Sequence, residues 1–124
     1  MSSSDDDRSR QYSLTGHAVA VLAASEPVAH EDWRGYTFRQ LDAAAGAVKG
    51  TAFRAFKRHR AALREGEDYL WLDGVAHPAL REALLARGLL YPAVANITLI
   101  SPDVSARLLS GRGFPGAGAG EGKA

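Results

Sequence analysis

Apolar positions along the chain come in short blocks, each closed by a glycine or a proline, and the spacing inside a block predicts its element. The clearest is "TFRQLDAAAG", where Phe38, Leu41 and Ala45 recur on one face at helical spacing. Thr37 stands at the N-cap, Gln40 at the capping-box position and Gly46 at the stop, so a helix is expected between them. "AVKG" is then a turn. Thr51 is the expected cap of a second helix, from Ala52 to about Arg64, with Phe53, Phe56 and Leu63 on its apolar side and Gly66 at its end.

The flanking blocks are shorter. "LTGHAVAVLAAS" reads as a helix capped by Thr15 or as a strand alternating through Val19 and Val21, with helix the preferred reading. "SEPVAHEDWRG" reads as a helix, with Ser25 as N-cap, Pro27 in the first turn and Gly35 as stop. "EDYLWL" alternates, carries aromatics and closes on Asp73 and Gly74, which predicts a strand and a turn. "HPALREALLARG" predicts a helix with Pro78 at its start, Leu80, Leu84 and Leu85 inward and Gly88 at its end. "NITLIS" is a second strand by its β-branched residues, and Ser101 with Pro102 opens a last helix whose Val104, Leu108 and Leu109 pack back.

A chain of 124 residues, 46% hydrophobic, suits one modest domain. The expected organisation is a domain over 12–110 between two mobile tails, a Ser, Asp and Arg segment at 1–11 and a Gly-rich one at 111–124. The expected fold class is α+β and mostly helical, a helix-turn-helix, winged-helix-like domain with a small two-stranded antiparallel sheet. With no cysteine, disulfides, thiolate nucleophiles and cysteine zinc sites are excluded. The apolar run after Arg8 and Arg10 is short, contains His17 and follows Asp5, Asp6 and Asp7, which argues against a secretory signal. Nothing approaches the roughly 20 apolar residues of a spanning helix, so a cytoplasmic protein without membrane contact is expected.

Charge changes this picture. The formal balance is +1, yet "KGTAFRAFKRHRAALR", Lys49 to Arg64, holds six Lys or Arg and no acid. The rest of the chain is therefore acidic, at about −5. On a helical wheel Phe53, Phe56 and Leu63 fall on one side, and Arg54 and Arg58 project opposite them among Ala55, Ala61 and Ala62. Long cations among small residues allow the backbone to approach a DNA major groove while guanidinium groups reach base edges or phosphates. Lys57 flanks that face. Lys49 lies beside the helix N-terminus, where the amides of Ala52 and Phe53 also favour an anion, and Thr51 either caps or donates to phosphate. The expected contacts to double-stranded DNA are thus Lys49, Thr51, Arg54, Lys57 and Arg58. Arg60 and Arg64 are expected at the border of the buried side, paired with Glu65, Glu67 or Asp68.

The segments "YTFRQLDAAAG", "KGTAFRAFKRHRAALREGEDYLWL" and "NITLISPDVSARLL" together resemble the small DNA-binding domain at the N-terminus of phage antirepressor and regulatory proteins. The resemblance covers roughly Tyr36 to Leu109, and its most specific part is the Gly-Thr before the basic helix combined with the Glu-Gly-x-Asp-Tyr exit. It implies a winged-helix-like or related α+β domain that binds duplex DNA, with the same five residues as contacts. No second domain of the kind antirepressors use for partners is expected, and a stand-alone regulator from a phage, prophage or mobile element is the expected form, nucleoid-associated when bound.

Other chemistries fit less well. His17, His30, His59 and His77 have no metal spacing, Glu65, Glu67 and Asp68 fit a turn better than a metal site, and "GRGFPGAGAG" has no strand before it or helix after it as a phosphate loop requires. No catalysis, cofactor or metal is expected. The main rival is a protein-interaction module whose basic helix binds an acidic partner, with Trp33, Tyr36, Tyr69, Trp71 and Tyr91 as a possible aromatic patch; at least one of Tyr69 and Trp71 is expected in the core. Because specific sites are commonly read by dimers, a homodimer is expected, through the exposed part of "HPALREALLARGLLYP" or the last helix.

Overall fold

The computed structural model describes residues 17–111. The tails expected at 1–11 and 111–124, and the proposed cap Thr15, lie outside the described residues except for Gly111. Helix α1 covers 17–24, so the described part of the ambiguous first block is helical. There follow β1 (Val28–His30), β2 (Trp33–Gly35), α2 (Phe38–Ala45), α3 (Thr51–His59), a 3-10 turn (Arg60–Ala62), β3 (Tyr69–Leu72), α4 (Pro78–Ala86), β4 (Ile97–Ile100) and α5 (Pro102–Ser110). The fold is a small α+β arrangement of short helices with two two-stranded antiparallel sheets.

Capping signals decide where α2 and α5 begin and end. Thr37 accepts from the amide of Gln40 while the Gln40 side chain accepts from the Thr37 amide, a complete capping box, and Gly46 closes α2 in the left-handed conformation. Ser101 accepts from the Val104 amide to start α5. Pro78 occupies the first turn of α4. On α2 the buried residues are Leu41, Asp42 and Ala44; Ala45, expected inward, is exposed.

The segment 25–35 departs from its expected helix. It forms a hairpin in which Val28 pairs with Gly35 and His30 with Trp33. Its two-residue turn is Glu31 and Asp32, with Glu31 at φ 55. Gly35 ends a strand: a Cβ there would lie 2.6 Å from the Ile100 carbonyl oxygen, so β2 presses on β4 with no room for a side chain. The tertiary contact of that backbone overrides the helical punctuation.

Strands β3 and β4 pair from Tyr69↔Ile100 to Leu72↔Ile97. They are joined through α4 and sit between two apolar clusters. By the two-residue period, Leu72, Ile97 and Leu99 face a cluster with Val28, Leu84 and Leu90. Tyr69 and Ile100 face the other way, into a cluster with Tyr36, Leu41, Phe56 and Val104. The sheet is therefore an internal partition, and truncating a fully buried member of the flanking clusters, such as Leu41 of α2, to Ala costs about 2–5 kcal/mol. Trp71, on the same face as Tyr69, is 49% exposed whereas Tyr69 is 8% exposed. No helix among the described residues is long and apolar enough to cross a membrane.

Candidate nucleic-acid interface

The basic segment is set by a turn that a buried carboxylate holds. Asp42, 2% exposed on α2, accepts from the Gly50 amide at 3.0 Å through Oδ2 and from the Ala52 amide at 2.8 Å through Oδ1. Its Oδ2 also accepts the Tyr91 hydroxyl proton at 2.6 Å. A carboxylate taking three donors is fully satisfied, and here it ties the end of α2 to the start of α3 and to the loop before β4. Burial, followed by the hydrogen bond and charge of Asp42, pushes the Tyr91 phenol up to about 12, with Arg39 pulling the other way.

This arrangement corrects two expectations, the cap of α3 and its open amide. The residue at the N-cap of α3 is Gly50, at φ 93, and Thr51 is already helical. The Thr51 hydroxyl donates to the Val48 carbonyl at 2.8 Å, so its proton serves its own turn. The Ala52 amide, expected to be open to an anion, is held by Asp42. The helix is also shorter than the expected span to Arg64: it runs to His59, passes into the 3-10 turn and leaves helical geometry at Leu63.

The two faces of α3 follow the wheel with one exception. Ala52 and Phe56 are buried, and Arg54, Lys57 and Arg58 are exposed. Phe53, expected in the core, is 45% exposed; its ring meets Phe38 edge to face at 5.4 Å, and the Lys57 ammonium lies 5.3 Å from its centroid. None of Arg54, Lys57 and Arg58 forms an ion pair among the described residues. Lys49 turns toward Tyr91, with its ammonium 5.2 Å from that ring. Arg64 pairs with Glu67 at 3.7 Å, while Arg60 turns aside to line a cavity.

Sequence reasoning missed Asp42 and that cavity, which opens beside α3 and encloses about 460 Å³. Its walls are Phe38, Phe53 and Phe56 on one side and Tyr69, Trp71 and Thr98 of the sheet on the other. The one available signal for Asp42 was a carboxylate four residues after Phe38, on the apolar side of α2. Of the aromatic patch considered from sequence, Tyr36 and Tyr69 are buried, and Trp33 donates its indole N–H to the Gly66 carbonyl at 2.8 Å. Trp71 and Tyr91 both line the cavity. No group of three metal-ligating side chains gathers among the described residues. Comparison with family models, with curated proteins and with solved structures returns no match for the chain.

Proposed function

We propose that the protein binds double-stranded DNA with α3 as its reading helix, in a helix-turn-helix arrangement of α2 and α3. The observation that carries the reading is the exposed, single-sign face of Arg54, Lys57 and Arg58, three cations without a carboxylate partner among the described residues. A face shaped for solubility gains from acids placed four residues from its cations, and α3 contains no acid. The resemblance of "GTAFRAFKR" and "EGEDYLWL" to the phage regulatory domain supports the same surface. The bracket on Asp42 supports it further, because a helix that reads bases must be held in register by the helix behind it.

The contacts divide by position. Arg54 and Arg58, farthest from the buried side, reach base edges or phosphates; Lys57, drawn toward Phe53, and Lys49, at the turn, hold backbone phosphates. Thr51, its proton engaged, contributes its position at the start of the helix. The hairpin β1–β2 carries Glu31 and Asp32 at its tip, a charge that phosphates repel, so α3 bears the recognition without that hairpin as a wing.

The test is selection from a random duplex library at near-physiological salt, beside an Arg54→Ala, Arg58→Ala double variant. Enrichment of one motif by the wild type alone is expected, and a two-fold symmetric motif would add a homodimer. Absence of enrichment, with equal weak binding by both proteins, would overturn the reading and direct the basic face to an acidic protein partner.

A further inference from the structure

The cavity beside α3 is built unlike the rest of the surface. About 460 Å³ falls within the size range of small-molecule sites, and the lining is mostly aromatic. Phe38 and Phe56 of the helical wall stand 5.3 Å apart by ring centroids, and Phe56 meets Tyr69 of the sheet edge to face at 5.0 Å. These contacts fix the floor. At the rim, Phe53, Trp71 and Val94 are exposed, three large apolar side chains around one opening. Apolar groups gathered in this way mark a surface that is covered by something in use.

The charges at the same opening say what. Arg39, Lys49 and Arg60 line it, no carboxylate does, and none of the three forms an ion pair among the described residues. Arg39 is anchored by donating to the Leu90 carbonyl at 2.6 Å, and its guanidinium carbon lies 5.3 Å from the Tyr91 centroid. With Lys49 also over Tyr91, two cations converge on one ring at the mouth. Asp42 is the nearby counter-charge, and it lies behind Tyr91 with its oxygens taken by three donors.

We propose that this cavity is a binding site for a small aromatic anion, an aryl carboxylate or a similar planar acid. The ring system enters between the Phe38, Phe53 and Phe56 wall and Trp71, and the carboxylate stays at the mouth against Arg39 and Lys49. Stacking suits a flat apolar body, and paired cations beside a low-dielectric wall suit a single negative charge. A neutral ligand of the same shape forgoes the second half of the site, and a cation is repelled. The evidence for the site is the cavity and its rim, and the site shares Lys49 with the proposed DNA contacts.

The experiment uses naphthoate, with naphthalenemethanol and naphthylmethylamine as neutral and cationic counterparts of the same ring. Binding is followed by titration calorimetry and by the indole N–H resonances of the full chain. Trp71 lines the cavity and Trp33 lies elsewhere, its indole bonded to Gly66, so the chain contains its own reporter and its own control. Naphthoate is expected to bind about tenfold more tightly than the alcohol, as fits one charge-assisted contact, and to move the Trp71 signal while leaving that of Trp33. Lys49→Gln, at an exposed turn position, is expected to remove most of that preference, and Trp71→Ala, at a half-exposed one, to weaken all binding. Equal affinity for the three compounds, a shift at Trp33 instead of Trp71, or no binding at millimolar concentration would each overturn the proposal.

Discussion

The hydroxyl of Tyr91 donates to Asp42 at 2.6 Å across 49 residues of sequence, and the same carboxylate oxygen receives the Gly50 amide at 3.0 Å. One buried charge therefore joins the loop before β4 to the turn between α2 and α3. The basic helix is held from behind by a group that faces no solvent.

Removal of that group is the first prediction. Asp42→Ala leaves the amides of Gly50 and Ala52 and the Tyr91 hydroxyl without their acceptor. Loss of a helix cap with a charge-assisted bond is expected to cost about 2–4 kcal/mol in chemical denaturation. Asp42→Asn retains one acceptor oxygen but presents an amide where Asp42 receives protons, and is expected to recover less than half of the loss. An unchanged denaturation midpoint in the alanine variant would show that the bracket adds nothing.

The same contact makes stability sensitive to alkaline pH. The folded-state pKa of Tyr91 is raised from 10.0 to about 12, first by burial and then by Asp42. A raised folded value means that the folded chain holds the proton more firmly. The contribution is thus fully present below about pH 10 and lost as pH rises through about 12. Tyr91→Phe is expected to be less stable at neutral pH by about 1–2 kcal/mol, for one hydrogen bond to a charged acceptor. Because the other titrating groups are common to both proteins, the stability gap between them should narrow above pH 10, as read by denaturation at stepped pH. A gap that stays constant to pH 12 would contradict this.

Gly74 is fixed by space. It is buried, and a Cβ built there would lie 1.8 Å from the Ala95 carbonyl oxygen, which belongs to backbone and cannot rotate away. Gly74→Ala is expected to destabilise by about 3 kcal/mol, at the upper end of overpacking penalties, because the turn after β3 must separate from the loop before β4. Calorimetric melting measures it. A loss under a few tenths of a kcal/mol would mean that these two loops are not pressed together.

What was legible from sequence follows how local each determinant is. The capping box of Thr37 and Gln40 lies within four residues, and its helix stands where the pattern placed it. The strands β3 and β4 were readable from alternation and β-branching, although not their place as a partition between two clusters. The hairpin was misread because three-residue strands are too short to show a period, and because its turn is Glu31 and Asp32 where a glycine would have signalled it. The exposed cations of α3 were visible on a wheel. Phe53 was misplaced because the wheel shows which side is apolar and not whether a neighbouring element covers it. Asp42 and the cavity depend on contacts across tens of residues, which no local pattern encodes.

The last prediction separates base reading from phosphate holding on α3. Arg54 projects from the side opposite Ala52, while Lys57 leans over Phe53 at the flank, so the two should fail differently. On the proposed DNA-binding reading, neutralisation of about four phosphates by this basic segment makes log affinity fall against log salt with a slope of about −3 to −4. Lys57→Gln is expected to weaken every duplex alike and to flatten that slope by about one. Arg54→Ala is expected to lose about 1–3 kcal/mol on the selected site and much less on unrelated duplex, relaxing one or two base positions. Anisotropy titrations of both variants on selected and scrambled duplexes, at several salt concentrations, measure the difference. If both variants lose affinity equally on all sequences, α3 holds phosphate only, and sequence discrimination must come from another element or be absent.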